Sequence, residues 1–217
     1  MTPLERKAKT ENLLCREGIP YLPSLPCLES EEETELRTAV DIGIRIYCLF
    51  YVSGAAFHPD DAVFAELARK HGLWEHLSPN EATFLSDPTS QPRVATNLTW
   101  RCEAMVVLMW AVGLFDKLPL PREQTCTAEI LERLPGAFSE SPWPRINALT
   151  LRPKAEVLDA SDLIYRLHWA TRQAWLAGTD APSDLLPSQV QEWHHAINWV
   201  TCYGDNEDEW DNVATDT

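Results

Sequence analysis

The chain has 217 residues, 45% of them hydrophobic and 24% charged, values of a folded globular protein long enough to bury a sizeable core. Eighteen Lys and Arg face 33 Asp and Glu, a formal net charge of −15, which disfavours direct binding to phosphate backbones and anionic membrane surfaces. The imbalance is uneven: after Arg172 come nine acids and no base.

The start, Met1-Thr2-Pro3-Leu4-Glu5-Arg6-Lys7, has no apolar core of a secretory signal. The longest uninterrupted apolar run, Met105 to Phe115, is too short for a bilayer span and is bracketed by Glu103 and Asp116. Six cysteines lie apart with no C-x-x-C pair, which reads as reduced thiols in a cytoplasm. The nine tryptophans read mainly as core-filling side chains.

Periodicity near 3.6 residues dominates and predicts an all-α fold: one multi-helix domain over residues 1–217 with Pro-rich connecting loops. A first helix over 3–17 stops at Gly18, and Pro20, Pro23 and Pro26 impose an extended loop up to about residue 30. Ser30 and Glu33 form a capping box that predicts a helix from Ser30 to about Ser53. Its core stripe is Leu36, Ala39, Val40, Gly43, Tyr47 and Phe50, opposite an exposed Arg37/Asp41/Arg45 ladder. Asp60 to Lys70 predicts a short helix. Ser78-Pro79-Asn80-Glu81 is the strongest local signal, a cap with Pro at the first helical position and Glu at the third.

Asn97 to Phe115, apolar on every side past Glu103, is expected at the centre of the bundle. A proline-punctuated stretch follows, with one short helix near 126–134 and a brief strand possible at Leu151-Arg152. Ser161 to Ala177 and Pro187 to about Tyr203 complete the helices, and 204–217 forms an acidic tail.

Several stretches carry a resemblance in a specific order across nearly the whole chain. They include Leu77 to Leu85, Trp100-Arg101-Cys102-Glu103-Ala104, Trp110-Ala111-Val112-Gly113, Asp162 to Ala170 and Glu192 to Trp199. In these the chain resembles the bacterial family catalogued as domain of unknown function 4272. The resemblance implies one domain in a bacterial cytosol and brings no catalytic assignments with it. Trp193 stands where the resemblance implies Arg.

Two places can carry chemistry. The first is a polar set on the central and C-terminal helices: Arg101, Glu103, Asp162, Arg166, His168, Glu192, His194 and Asn198. Such groups on buried helices are either paired internally or solvated in a cleft. A cleft holding Glu103, Asp162, His168 and His194 would suit acid–base work in a small hydrolase- or transferase-like enzyme. The second is the acidic end, where Asp205, Glu207, Asp208, Glu209 and Asp211 surround Trp210. An aromatic anchor ringed by carboxylates suits a basic protein partner, as in an immunity- or inhibitor-like module, unless Trp210 folds back onto the core.

No metal or cofactor is expected. His194 and His195 are adjacent and point about 100° apart on a helix. The calcium-loop echo from Asp205 to Asp216 has Trp210 where the sharp turn needs Gly. Nucleophile elbows, P-loops and dinucleotide-binding glycine motifs are absent from the sequence.

Overall fold

The computed structural model describes residues 1–204 and 210–217, and among these every regular element is helical, with no strand. The helices are α1 (Pro3–Arg16), α2 (Ala39–Phe57), α3 (Val63–Lys70), α4 (Pro79–Ser86), α5 (Pro92–Leu98), α6 (Arg101–Ala111), α7 (Thr127–Arg133), α8 (Trp143–Ile146), α9 (Lys154–Ala177) and α10 (Pro187–Val200). The long ones pack in series, α1 on α9, α9 on α10, α10 on α6 and α6 on α2, while α3, α4, α5 and α8 cover α2.

This order explains the apolar pattern. From Cys102 to Ala111 every residue of α6 is buried, because α2 and α10 close its two sides. Helix α2 is almost as enclosed. Its 19 residues are long and apolar enough to cross a membrane, yet 72% of its most apolar window is buried inside the fold, as in a core helix. A smaller core of Leu14, Ile19, Leu167, Ala170, Leu185 and Val190 joins α1 to α9 and α10.

Helix starts follow capping chemistry, with one correction. Ser78 and Glu81 form the expected capping box at α4, and Thr2 with Glu5 forms another at α1. Helix α2, however, starts from the box of Thr38 and Asp41, not from Ser30. Ser30 N–H and hydroxyl both donate to Glu33, at 3.0 and 2.7 Å, and the chain makes only a turn there. Glutamates at 31, 32, 33 and 35 would repel one another at helical spacing, and the Lys154 ammonium takes the Glu31 and Thr34 carbonyls from outside. The expected Arg37/Asp41/Arg45 ladder is also absent, since Asp41 turns to Thr38 and Arg45 to Glu81. Arg37 precedes the helix and donates to the Trp199 carbonyl, while Arg45 is buried.

Two further boundaries differ. The long apolar stretch divides at Thr99-Trp100 into α5 and α6, and α9 starts at Lys154, behind Pro153, seven residues before Ser161. The Leu151-Arg152 segment is not a strand. Arg152 instead donates to the carbonyls of Trp110 and Phe115, closing the C-terminal end of α6.

Basic side chains also fasten the Pro-rich loop, whose carbonyls have no helix to satisfy them. Arg6 donates to the Glu29 carbonyl at 3.2 Å, Lys7 to Leu25 at 2.6 Å and Arg166 to Pro26 at 3.1 Å.

Gly54 lets α2 and α3 touch. A Cβ at this position would fall 2.1 Å from Phe64 Cε1. Gly54→Ala is therefore expected to destabilise the protein by about 1–3 kcal/mol despite alanine's better helix propensity. Urea midpoints measure this, and trimming Phe64 to leucine in the same chain should recover part of the loss.

Candidate functional site

The polar set on α6, α9 and α10 lies where the helices meet, and it separates into self-contained pairs. Asp162 and Arg166, one turn apart on α9, form a two-pronged ion pair with Nε–Oδ2 3.1 Å and Nη2–Oδ1 2.9 Å. Both are essentially fully buried. Arg101 at the start of α6 donates to Glu192 of α10 at 2.9 Å. Burial raises the Glu192 pKa, with Arg101 opposing it.

Glu103 accepts from the Thr125 N–H at 2.9 Å, the Thr125 hydroxyl at 2.7 Å and Gln189 Nε2 at 2.7 Å. Asn198 donates to the Ala214 carbonyl at 2.8 Å, pinning the C-terminal segment to α10. Among the described residues Glu103, Asp162, His168 and His194 do not join in one hydrogen-bonded cluster, as an acid–base site would require. Nor does any group of three or more His, Cys, Asp or Glu among these residues have an arrangement that could hold a metal ion.

His168 of α9 and His194 of α10 meet with Nδ1 to Nδ1 at 2.7 Å and ring planes 74° apart. Two facing nitrogens at this distance need one donor and one acceptor, so at least one ring is neutral; where both are neutral they are of opposite tautomer. Burial, with Arg172 beside it, lowers the His168 pKa to about 4. Burial, with His168 and His195 nearby, lowers that of His194 to about 3.

The consequence for stability has a definite sign. Above pH 6.5 the imidazoles are neutral folded and unfolded, and their contribution is fully present. As pH falls from 6.5 toward 4, the unfolded chain takes up protons that the fold refuses. Stability should then drop by about 1.4 kcal/mol per pH unit for each such histidine. Urea unfolding at pH 7 and pH 5 reads this directly. His194→Gln, which keeps a polar partner for His168, should flatten the profile, and an unchanged slope would contradict the assignment.

The acidic end differs from its sequence reading. Trp210 is 3% exposed, so it is not an anchor offered to a partner. Its ring packs edge-on against His195 and Trp199, with the Arg45 and Arg101 guanidiniums over it at 5.3 and 5.6 Å. Asp211 is likewise engaged inside the molecule. It accepts from the Ser78 hydroxyl at 2.7 Å and the Asn80 N–H at 3.0 Å, capping α4 from outside. Residues 210–217 thus lie against the body. Asp205, Glu207, Asp208 and Glu209 lie outside the described residues.

What the sequence reading missed is a second acid run, Glu29 to Glu35, which has five glutamates and no base. The signal was present, but the Ser30/Glu33 pattern made it look like a helix start. The fold sets this run beside the end of α10. Glu29, Glu33 and Glu35, all exposed, share a cavity of about 450 Å³ with Ser161, Tyr203 and Gly204.

A search of the family models matches residues 6–213 to the domain of unknown function designated DUF4272, and the chain belongs to that family. No curated protein and no solved structure matches it.

Proposed function

We propose that this protein is a non-catalytic acidic binding module, of the immunity or inhibitor type, that covers a basic surface of a partner protein. One observation carries the reading. The Glu29–Glu35 run sits beside Gly204, immediately before the acid-rich stretch at Asp205, Glu207, Asp208 and Glu209. The exposed Glu29, Glu33 and Glu35 and the backbone at Gly204, far apart in sequence, therefore lie at one place on the surface.

The distribution of bases reinforces it. Arg6, Lys7, Arg45, Arg152, Lys154 and Arg166 are spent on main-chain carbonyls or buried carboxylates. These bases are held in place by the fold and are not free to turn toward a partner. An acidic face of this kind steers a cationic partner into encounter, and salt screens it over about 8–10 Å.

Affinity capture from a native lysate at low and high salt tests the reading with three proteins: wild type, Glu29→Lys/Glu35→Lys, and Glu132→Lys on α7 as a control. Wild type and the control should retain a basic protein that high salt releases, and the double reversal should lose it. Absence of such a partner, or capture indifferent to salt and to the reversal, would sink the proposal.

A further inference from the structure

Ser161 lies in the first half of α9 and lines the cavity of about 450 Å³ between the 29–35 segment and the end of α10. It is 3% exposed. A helical serine often returns its hydroxyl to a carbonyl one turn back, as Ser86 does to Ala82 at 2.8 Å. The Ser161 hydroxyl makes no such bond and has no other partner among the described residues. Nor does the fold seal it off. Its oxygen keeps some accessible surface, where the unpaired Gln189 Oε1 and Trp193 Nε1 keep next to none. A buried hydroxyl that is neither bonded nor covered faces the space it lines, and that space is this cavity.

The rest of the lining says what would meet it. Glu29, Glu33 and Glu35 are exposed and so stand at the open side, while Leu28 and the buried Leu158, one turn before Ser161, give apolar wall. Burial first, then the carboxylates of Asp216 and Glu29, raise the Tyr203 pKa, so negative potential reaches this wall from the C-terminal segment as well. The cationic groups that reach the 29–35 segment are already engaged. The amino terminus pairs with Glu31 at 3.7 Å, and Arg6 and Lys154 hold main-chain carbonyls; none of the three lines the cavity. A negative rim, an apolar wall and an unpaired oxygen within fit a cation carried on an apolar stem. A compact ammonium, with three donors that can turn, suits one hydroxyl and scattered carboxylates. The flat fork of a guanidinium asks for a two-pronged acceptor.

We infer, building on the binding role proposed above, that this cavity receives a lysine side chain of the basic partner. Its ammonium donates to Ser161 Oγ, its stem lies against Leu28 and Leu158, and the rim carboxylates hold the charge.

Amide signals of Ser161, Tyr203 and Gly204 in the ¹⁵N-labelled full chain, titrated at constant salt, give the test. The probes are Nα-acetyl-lysine N-methylamide, the same compound acetylated on Nε, and the arginine analogue. Saturable movement by the lysine compound is expected. Nε-acetylation, which removes the charge, should weaken binding on the order of tenfold, and the arginine analogue should bind less well than lysine. Ser161→Ala keeps the helix and every carboxylate, and it should weaken the lysine compound on the order of tenfold, the loss of about one hydrogen bond to a charged group. Equal binding by Ser161→Ala and wild type, equal response to the acetylated and unacetylated compounds, or arginine binding as well as lysine would overturn the inference. Affinity capture separates this from the binding role itself. A basic protein lost by Glu29→Lys/Glu35→Lys but fully held by Ser161→Ala would overturn the lysine assignment and leave the role standing. A lysine site that depends on Ser161, in a chain that captures no basic protein, would sink the role and support the site.

Discussion

Replacing Glu81 with alanine should cost about 3–5 kcal/mol, enough to leave a typical domain barely folded. Glu81 does two jobs from one carboxylate. As the third residue of α4 it accepts from the Ser78 N–H at 2.9 Å, completing the capping box. It also accepts from Arg45 Nη1 at 2.9 and 2.8 Å, deep between α2 and α4. Arg45 is 5% exposed and Glu81 is 2% exposed. Without the carboxylate the buried guanidinium keeps, among the described residues, the His76 carbonyl, the Trp210 ring face and the weaker pull of Asp211 and Cys48. The desolvation cost of that charge then stands uncompensated. The same physics predicts that Arg45→Met/Glu81→Leu, which removes both charges, loses much less than Glu81→Ala. Urea midpoints of the three chains decide it, and a single variant costing under about 1 kcal/mol would contradict the pairing.

Asp162→Ala should have a comparable effect, again about 3–5 kcal/mol, but distributed differently in the molecule. Arg166 is fully buried and its guanidinium also reaches the Pro26 carbonyl, with Glu11 of α1 at 3.9 Å. The pair thus ties α9 to the Pro-rich loop and to α1. Loss of Asp162 should loosen that side first, so amide exchange in α1 should accelerate before exchange in α6 does. Uniform acceleration across both helices would argue against a local tie.

The parts of this fold legible in sequence were those set by short-range chemistry. Ser78-Pro79-Asn80-Glu81 specified α4, because all the cap's groups lie within four residues. Asn97 to Phe115 was recognisable as central because a helix enclosed on two sides must be apolar all round, although its division at Thr99-Trp100 was not. Ser30 and Thr38 both carry the sequence pattern of a capping box, and local rules do not rank them. The choice depends on Lys154, over a hundred residues away.

The candidate site was legible to the same degree. Asp162 and Arg166 are an i,i+4 pair visible in sequence. The partners of Glu103 and Asn198 are Thr125, Gln189 and Ala214, which no spacing rule indicates. The acidic neighbours of Trp210 suggest exposure, whereas the alternative that it folds back onto the core is the one observed, with His195, Trp199 and two arginines around its ring.

On the proposed reading, the acids of the 29–35 segment, beside Gly204, hold a basic partner. Titration calorimetry of the captured partner against wild type, Glu29→Lys/Glu35→Lys and Glu132→Lys tests it most directly, each at low and high salt. The double reversal should weaken binding on the order of tenfold at low salt, the gap should narrow at high salt, and Glu132→Lys should behave as wild type. Equal affinity of the double reversal and wild type at low salt would contradict it.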